Sequence, residues 1–93
     1  LAGLTADQAK GKSVTEQTKE ILSLIDGYLA KCGTDKSKLL RANIWITDMK
    51  TFNEMNAVWD AWVSPGNTPA RATLEATLAG AEFNVEIMVV AAK

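Results

Sequence analysis

A chain of 93 residues can bury one small core, because dividing it would leave neither part enough apolar surface, so residues 1–93 read as a single domain. Ten Lys and Arg against eleven Asp and Glu give a net charge of −1 beside an apolar share of 47%, which excludes a disordered chain and leaves no electrostatic footprint for nucleic acid or an anionic membrane. With no His and one Cys, the composition rules out His bases, Ser-His-Asp and Cys-His systems, Cys/His zinc clusters and an intrachain disulfide, and leaves chemistry to carboxylates, Arg, Lys, hydroxyls, backbone and water. No apolar run reaches the length of a membrane helix and no signal segment is visible, so a cytoplasmic protein with no membrane partner is expected.

Leu1-Ala2-Gly3-Leu4 reads as the end of a strand whose beginning is missing, as though the N-terminus were truncated. Ser13-Val14-Thr15-Glu16 fits a capping box, and Val14, Thr18, Ile21, Ile25, Tyr28 or Leu29 and Cys32 then recur at three- and four-residue steps. A first helix is predicted from there to about Gly33, where a left-handed terminus costs least. The lone Cys32 reads as a small buried side chain without a role.

From Leu40 the period changes to two, with Leu40, Ala42, Ile44 and Ile46 on one side and Arg41, Asn43, Trp45 and Thr47 on the other, which predicts a strand. Asp48 can cap a second helix whose stripe is Phe52, Met55, Trp59 and Trp62, closed by the turn Ser64-Pro65-Gly66-Asn67. Ala70 to Leu78 alternates again, and a short Ala79-Gly80-Ala81 link leads to a last strand over Phe83 to Ala91. The order is β-α-β-α-β-β, an α+β domain with two helices on one face of a sheet. The other face, bearing Trp45, Met88 and Val90, then needs cover, most simply from a second copy of the chain.

Gly11-Lys12-Ser13 before a helix invites comparison with a phosphate-binding loop, but the required earlier glycine position is Ala6, so a loop and helix cap is the better reading. Pro69-Ala70-Arg71-Ala72-Thr73 places a guanidinium, matched in shape to a carboxylate, at the start of a strand. Glu86 lies between Val85 and Ile87 at what reads as an inward-looking position, where a carboxylate is costly unless paired. The competing reading makes Arg71 and Glu86 ordinary ion-pair members, with Glu75 or Glu54 as partners. If the last two strands form a hairpin, Leu78 meets Phe83 and Arg71 falls near Val90, roughly 13 Å of backbone from Glu86. The two groups would then meet more easily across a subunit boundary than within one chain. Trp59-Asp60-Ala61-Trp62 reads as a core stripe, and Trp45 as an interface residue.

Gln17-Thr18 with Ile21 and Ile25-Asp26, Ile46-Thr47-Asp48-Met49 ahead of Phe52, Met55-Asn56, Pro69-Ala70-Arg71 and Val85-Glu86-Ile87 together resemble the reactive intermediate deaminase family, also called Rid or YjgF-type. The likeness runs the length of the chain in consistent order. It implies a chorismate-mutase-like α+β fold forming a homotrimer with clefts between subunits, here without the family's N-terminal hairpin. It also implies hydrolysis of reactive 2-imino or enamine acids, such as 2-iminobutanoate or 2-iminopropanoate, to 2-keto acids and ammonia, with no metal or cofactor.

By that resemblance Arg71 clamps the substrate carboxylate and Glu86 holds or activates the attacking water, while Gly3 offers a backbone contact and Asn56 and Thr73 line the cleft. Ala2 stands where the family often has Ser, and Thr73 where it frequently has Cys. The alternative function is a non-catalytic module that binds a small 2-keto acid through Arg71. An RNA-cleaving role fits a chain without His or basic excess less well.

Overall fold

The computed structural model describes residues 4–92. Helix α1 spans Val14–Lys31, strand β1 Leu39–Ile46, helix α2 Phe52–Trp62, strand β2 Ala70–Glu75 and strand β3 Val85–Ala91. Short 3₁₀ turns at Asp7–Ala9, Lys36–Lys38 and Met49–Thr51 precede α1, β1 and α2.

Each boundary has a local cause. Ser13 Oγ accepts from the Glu16 amide at 3.2 Å and opens α1. The helix closes in a Schellman arrangement: Gly33, at φ +77°, donates to the Ala30 carbonyl at 3.1 Å, and Thr34 donates to the Leu29 carbonyl at 3.0 Å. Cys32 caps this end and is exposed, contrary to the burial expected of it, because the helix has turned its apolar face onto Leu29 by then. Asp48 caps the 3₁₀ turn Met49–Thr51 by accepting from the Lys50 amide at 2.9 Å, and α2 continues from that turn.

The sheet order is β2-β1-β3, with β1 parallel to β2 and antiparallel to β3. β1 and β2 therefore flank α2 in a β-α-β unit, as parallel neighbours require a crossover. The expected hairpin of the last two strands does not form. β1 is apolar over its whole buried phase and takes the centre, so β2 and β3 pair with it rather than with each other. β2 also ends at Glu75, and residues 76–84 form the connection to the opposite edge of the sheet. Beyond β3, Leu4 bridges Ile87 through backbone bonds of 2.8 and 3.0 Å, so the strand end read near the N-terminus is present at Leu4.

Ala42, Ile44 and Ile46 of β1 and Val85, Ile87 and Val89 of β3 pack against Ile21, Leu22, Ile25, Met55 and Trp59 of the helices, all buried. Leu40 was expected in this core but is 58% exposed. A register shift between Leu39 and Arg41 turns Leu39 inward in its place. Gln17, fully buried on α1, ties the layers together: its Nε2 donates to the Lys12 and Glu82 carbonyls, and its Oε1 accepts from the Asn84 amide at 2.8 Å.

Candidate functional site

The two edges of the sheet differ in what they turn toward the helices. Residues paired across a sheet project to the same face, so the helix-side rows are Arg71–Ala42–Val89, Thr73–Ile44–Ile87 and Glu75–Ile46–Val85. β1 and β3 fill these rows with buried aliphatics, whereas β2 contributes only Arg71, Thr73 and Glu75. A polar column at the end of an apolar layer does nothing for the core, since each of its groups must find a partner or a ligand.

Those partners are partly supplied. Glu75 Oε1 accepts from the Met49 amide at 2.8 Å and so helps to cap the turn before α2. Arg71 reaches under α2, where its Nη1 donates to Asn56 Oδ1 at 2.6 Å. Its guanidinium carbon lies 5.7 Å from the Phe52 ring centroid and 5.6 Å from that of Trp59, within cation–π range of both. The helical stripe read as core thus also holds the arginine. Arg71 forms no ion pair with Glu75 or Glu54; among the described residues the one salt bridge is Lys12–Glu16, at 3.8 Å. The other guanidinium N–H groups have no protein partner among the described residues. Two residues along the same column, Thr73 Oγ1 is buried and has no hydrogen-bond partner. A fixed cation with free donors beside an orphaned hydroxyl is the chemistry of a small-anion site.

Glu86 is elsewhere. It lies directly across from Trp45 on the face away from the helices, half-buried, and not at the inward position expected of it. The buried phase of β3 is Val85, Ile87 and Val89, which puts Glu86 in the other phase. From Arg71 it is two strands across and three residues along, about 10 Å in each direction, and on the opposite face. One chain therefore brings together Arg71, Asn56 and Thr73 and keeps Glu86 apart. Gly3 lies outside the described residues.

The open face has its own rows: Leu74–Trp45–Glu86, Ala72–Asn43–Met88 and Ala70–Arg41–Val90. It is largely apolar, with Leu74 48% and Val90 37% exposed. The expected open face is thus present, without full cover among the described residues, and β2 adds to it by turning its alanines and Leu74 outward. A groove of about 590 Å³ between α1 and α2, lined by Lys19, Leu22, Asp26, Val58 and Trp62, uses a different face of α2 and none of these residues. Among the described residues no group of His, Cys, Asp and Glu could hold a metal ion, and no helix is long and apolar enough to cross a membrane.

Comparison with known proteins places this geometry in context. A family model described as Endoribonuclease L-PSP matches residues 2–93. A RutC family protein of Haemophilus ducreyi is 47% identical over 83 residues, covering 89% of this chain and 71% of that protein. The RutC family protein YoaB of Escherichia coli is 46% identical over 77 residues, covering 83% of this chain and 68% of its own. Among solved structures, a member of the YjgF protein family from Neisseria meningitidis superposes with a TM-score of 0.95 at 48% identity, over the whole of this chain and 76% of that one.

Proposed function

The chain belongs to the YjgF/Rid family, the one whose model is described as Endoribonuclease L-PSP, and from that premise we propose that it hydrolyses reactive 2-imino acids to 2-keto acids and ammonia. The observation that supports this best is the pairing of a pre-positioned Arg71, with N–H donors to spare, and the partnerless buried hydroxyl of Thr73. Arg71 presents two parallel donors to the substrate carboxylate and fixes the imine carbon relative to the protein. Asn56 holds the guanidinium from behind, and Thr73 supplies a hydroxyl within the same column.

In this reading Glu86 acts from a second copy of the chain, because its own Arg71 lies on the other face. Assembly as a homo-oligomer, a trimer in our proposal, would cover Trp45, Leu74 and Met88 and set the Glu86 face of one copy against the β2 edge of its neighbour, where Arg71 lies, to complete the clefts. The reaction needs little else. A protonated imine is electrophilic; water held by Glu86 adds to its carbon and gives up a proton to the carboxylate. Glu86 returns that proton to the carbinolamine nitrogen, the C–N bond breaks as the carbinol O–H gives its proton to the carboxylate and the keto group forms, and the ammonia leaves with that proton as ammonium, so one water is consumed and Glu86 is regenerated. RNA cleavage, which the family model's description names, fits less well with a net charge of −1 and no His.

A second reading has an observation of its own: with Glu86 on the opposite face, one chain carries an anion clamp without a base, as a 2-keto acid binding module would. The two readings separate when 2-iminopropanoate is generated by an amino-acid oxidase, semicarbazide competes for the imine, and pyruvate formation is followed. The parent is expected to accelerate pyruvate release. Arg71→Ala loses this and pyruvate binding together, whereas Glu86→Gln keeps pyruvate binding and loses about 100-fold in kcat. Pyruvate binding by a parent that does not accelerate hydrolysis selects the binding module.

A further inference from the structure

The hydrogen bond from Arg71 to Asn56 depends on which end of the asparagine amide faces the guanidinium. An asparagine amide is nearly symmetric in shape, with a carbonyl oxygen at one end and an NH₂ at the other. Arg71 Nη1 lies 2.6 Å from Asn56 Oδ1, and only that orientation is attractive; the flipped amide would set two donors against each other. Packing cannot tell the two apart; Arg71 itself favours the oxygen end, and a second polar contact at the NH₂ end reinforces that choice. Asp60, one turn further along α2, provides it: Asn56 Nδ2 donates to Asp60 Oδ2 at 3.2 Å.

We propose that Asp60 is a positioning residue for the anion site, acting through the Asn56 amide to set the guanidinium of Arg71. This rests on the reading of Arg71 as the carboxylate clamp. A carboxylate accepts and never donates, so Asp60 can hold only the NH₂ end of Asn56, and the oxygen is left for Arg71. Phe52 and Trp59 lie against the guanidinium, and the amide fixes one of its edges. The N–H groups left over then point at the ligand in one arrangement. The charge of Asp60 works the other way, weakly: as a solvent-exposed anion near the site it would slightly oppose a second anion. Orientation and charge therefore predict opposite effects of removing it.

The test uses three variants with pyruvate titration, steady-state kinetics on 2-iminopropanoate, and ¹⁵N spectra of the Arg71 guanidinium in the ligand-free protein. Asp60→Ala is expected to raise the pyruvate dissociation constant and KM together by about 3- to 10-fold, the range of one net hydrogen bond, with kcat within about two-fold. Asp60→Asn, which keeps a carbonyl that can accept from Asn56, is expected to restore most of the affinity. In an Asn56→Ala background Asp60→Ala is expected to change nothing further, since the link is already gone. The Arg71 resonances should move in Asp60→Ala and stay close to the parent in Asp60→Asn.

A dissociation constant that is unchanged or lower in Asp60→Ala overturns the inference, as does an equal loss in the Asn56→Ala background. A parent that neither binds pyruvate nor hydrolyses the imine overturns the proposed function, and with it the part given to Asp60. A parent that does both while Asp60→Ala matches it overturns the inference alone.

Discussion

Thr73 is the residue whose surroundings argue most directly for a ligand. A buried hydroxyl without a partner costs the folded protein about 1–3 kcal/mol relative to one that is satisfied. Valine has nearly the same shape, lacks the hydroxyl and suits a strand. Thr73→Val is therefore expected to leave the ligand-free protein as stable as the parent or up to about 1 kcal/mol more stable, while weakening pyruvate binding. Thermal unfolding beside pyruvate titration reads both quantities. A variant that gains no stability but keeps full affinity would make Thr73 a bystander. The same opposition holds for Arg71, whose place under α2 is secured by Asn56, Phe52 and Trp59 rather than by an acid, so its charge remains available.

Among the elements, those with a strong period and a cap were legible in the sequence: α1, β1 and α2 lie within a few residues of where Ser13, the alternation after Leu40 and Asp48 put them. What failed was pairing. Ala79-Gly80-Ala81 looks like a hairpin link, but strand partners are chosen by which faces get buried, a non-local matter that a short link cannot decide. The same limit hid the sense of β2. Its alternation was visible, yet only the register with β1 shows that Arg71, Thr73 and Glu75 face the helices and the apolar phase faces out. Arg71, Asn56 and Thr73 were named as candidates through the family pattern; that Phe52 and Trp59 lie against Arg71 was not legible, because a helix stripe carries no sign of what lies beneath it.

The link between α1 and β1 adds a pH-dependent feature at this scale. Asp35 caps the turn Lys36–Lys38, accepting from the Ser37 hydroxyl and, at 2.8 Å, from the Ser37 amide. The Ser37 side-chain bond, followed by the Ser37 backbone bond, holds the carboxyl below its ordinary value of 3.8. A depressed folded-state value means that the cap contributes above the unfolded pKa and is lost as pH falls through the folded one. Ser37→Ala is expected to move the Asp35 titration up toward 3.8, as followed by carboxyl carbon resonances. A midpoint that stays where it was would assign the depression to the Ser37 backbone bond and the nearby Lys38 charge instead.

At the scale of the whole molecule, the two faces of the sheet divide the work. One is closed by two helices and ends in the polar column of β2; the other presents Trp45, Leu74, Met88 and Val90 without cover among the described residues. Because Glu86 sits on that second face and Arg71 on the β2 edge of the first, the proposed site needs the open face of one copy to meet the β2 edge of its neighbour, and in that reading assembly is a condition of turnover. Leu74 tests this cleanly, since it is on the edge strand and 48% exposed, so a charge there costs the single chain little. In an assembly the charge would be buried opposite an apolar partner without a counter-ion, a cost of several kcal/mol. Leu74→Glu is expected to sediment as a folded monomer with the parent's far-ultraviolet circular dichroism, to lose pyruvate production, and to keep the contacts of Arg71 under α2. Full activity from a monomeric Leu74→Glu protein would sink the shared site, because a single chain cannot bring Glu86 around the sheet to Arg71 without unpairing β3 from β1.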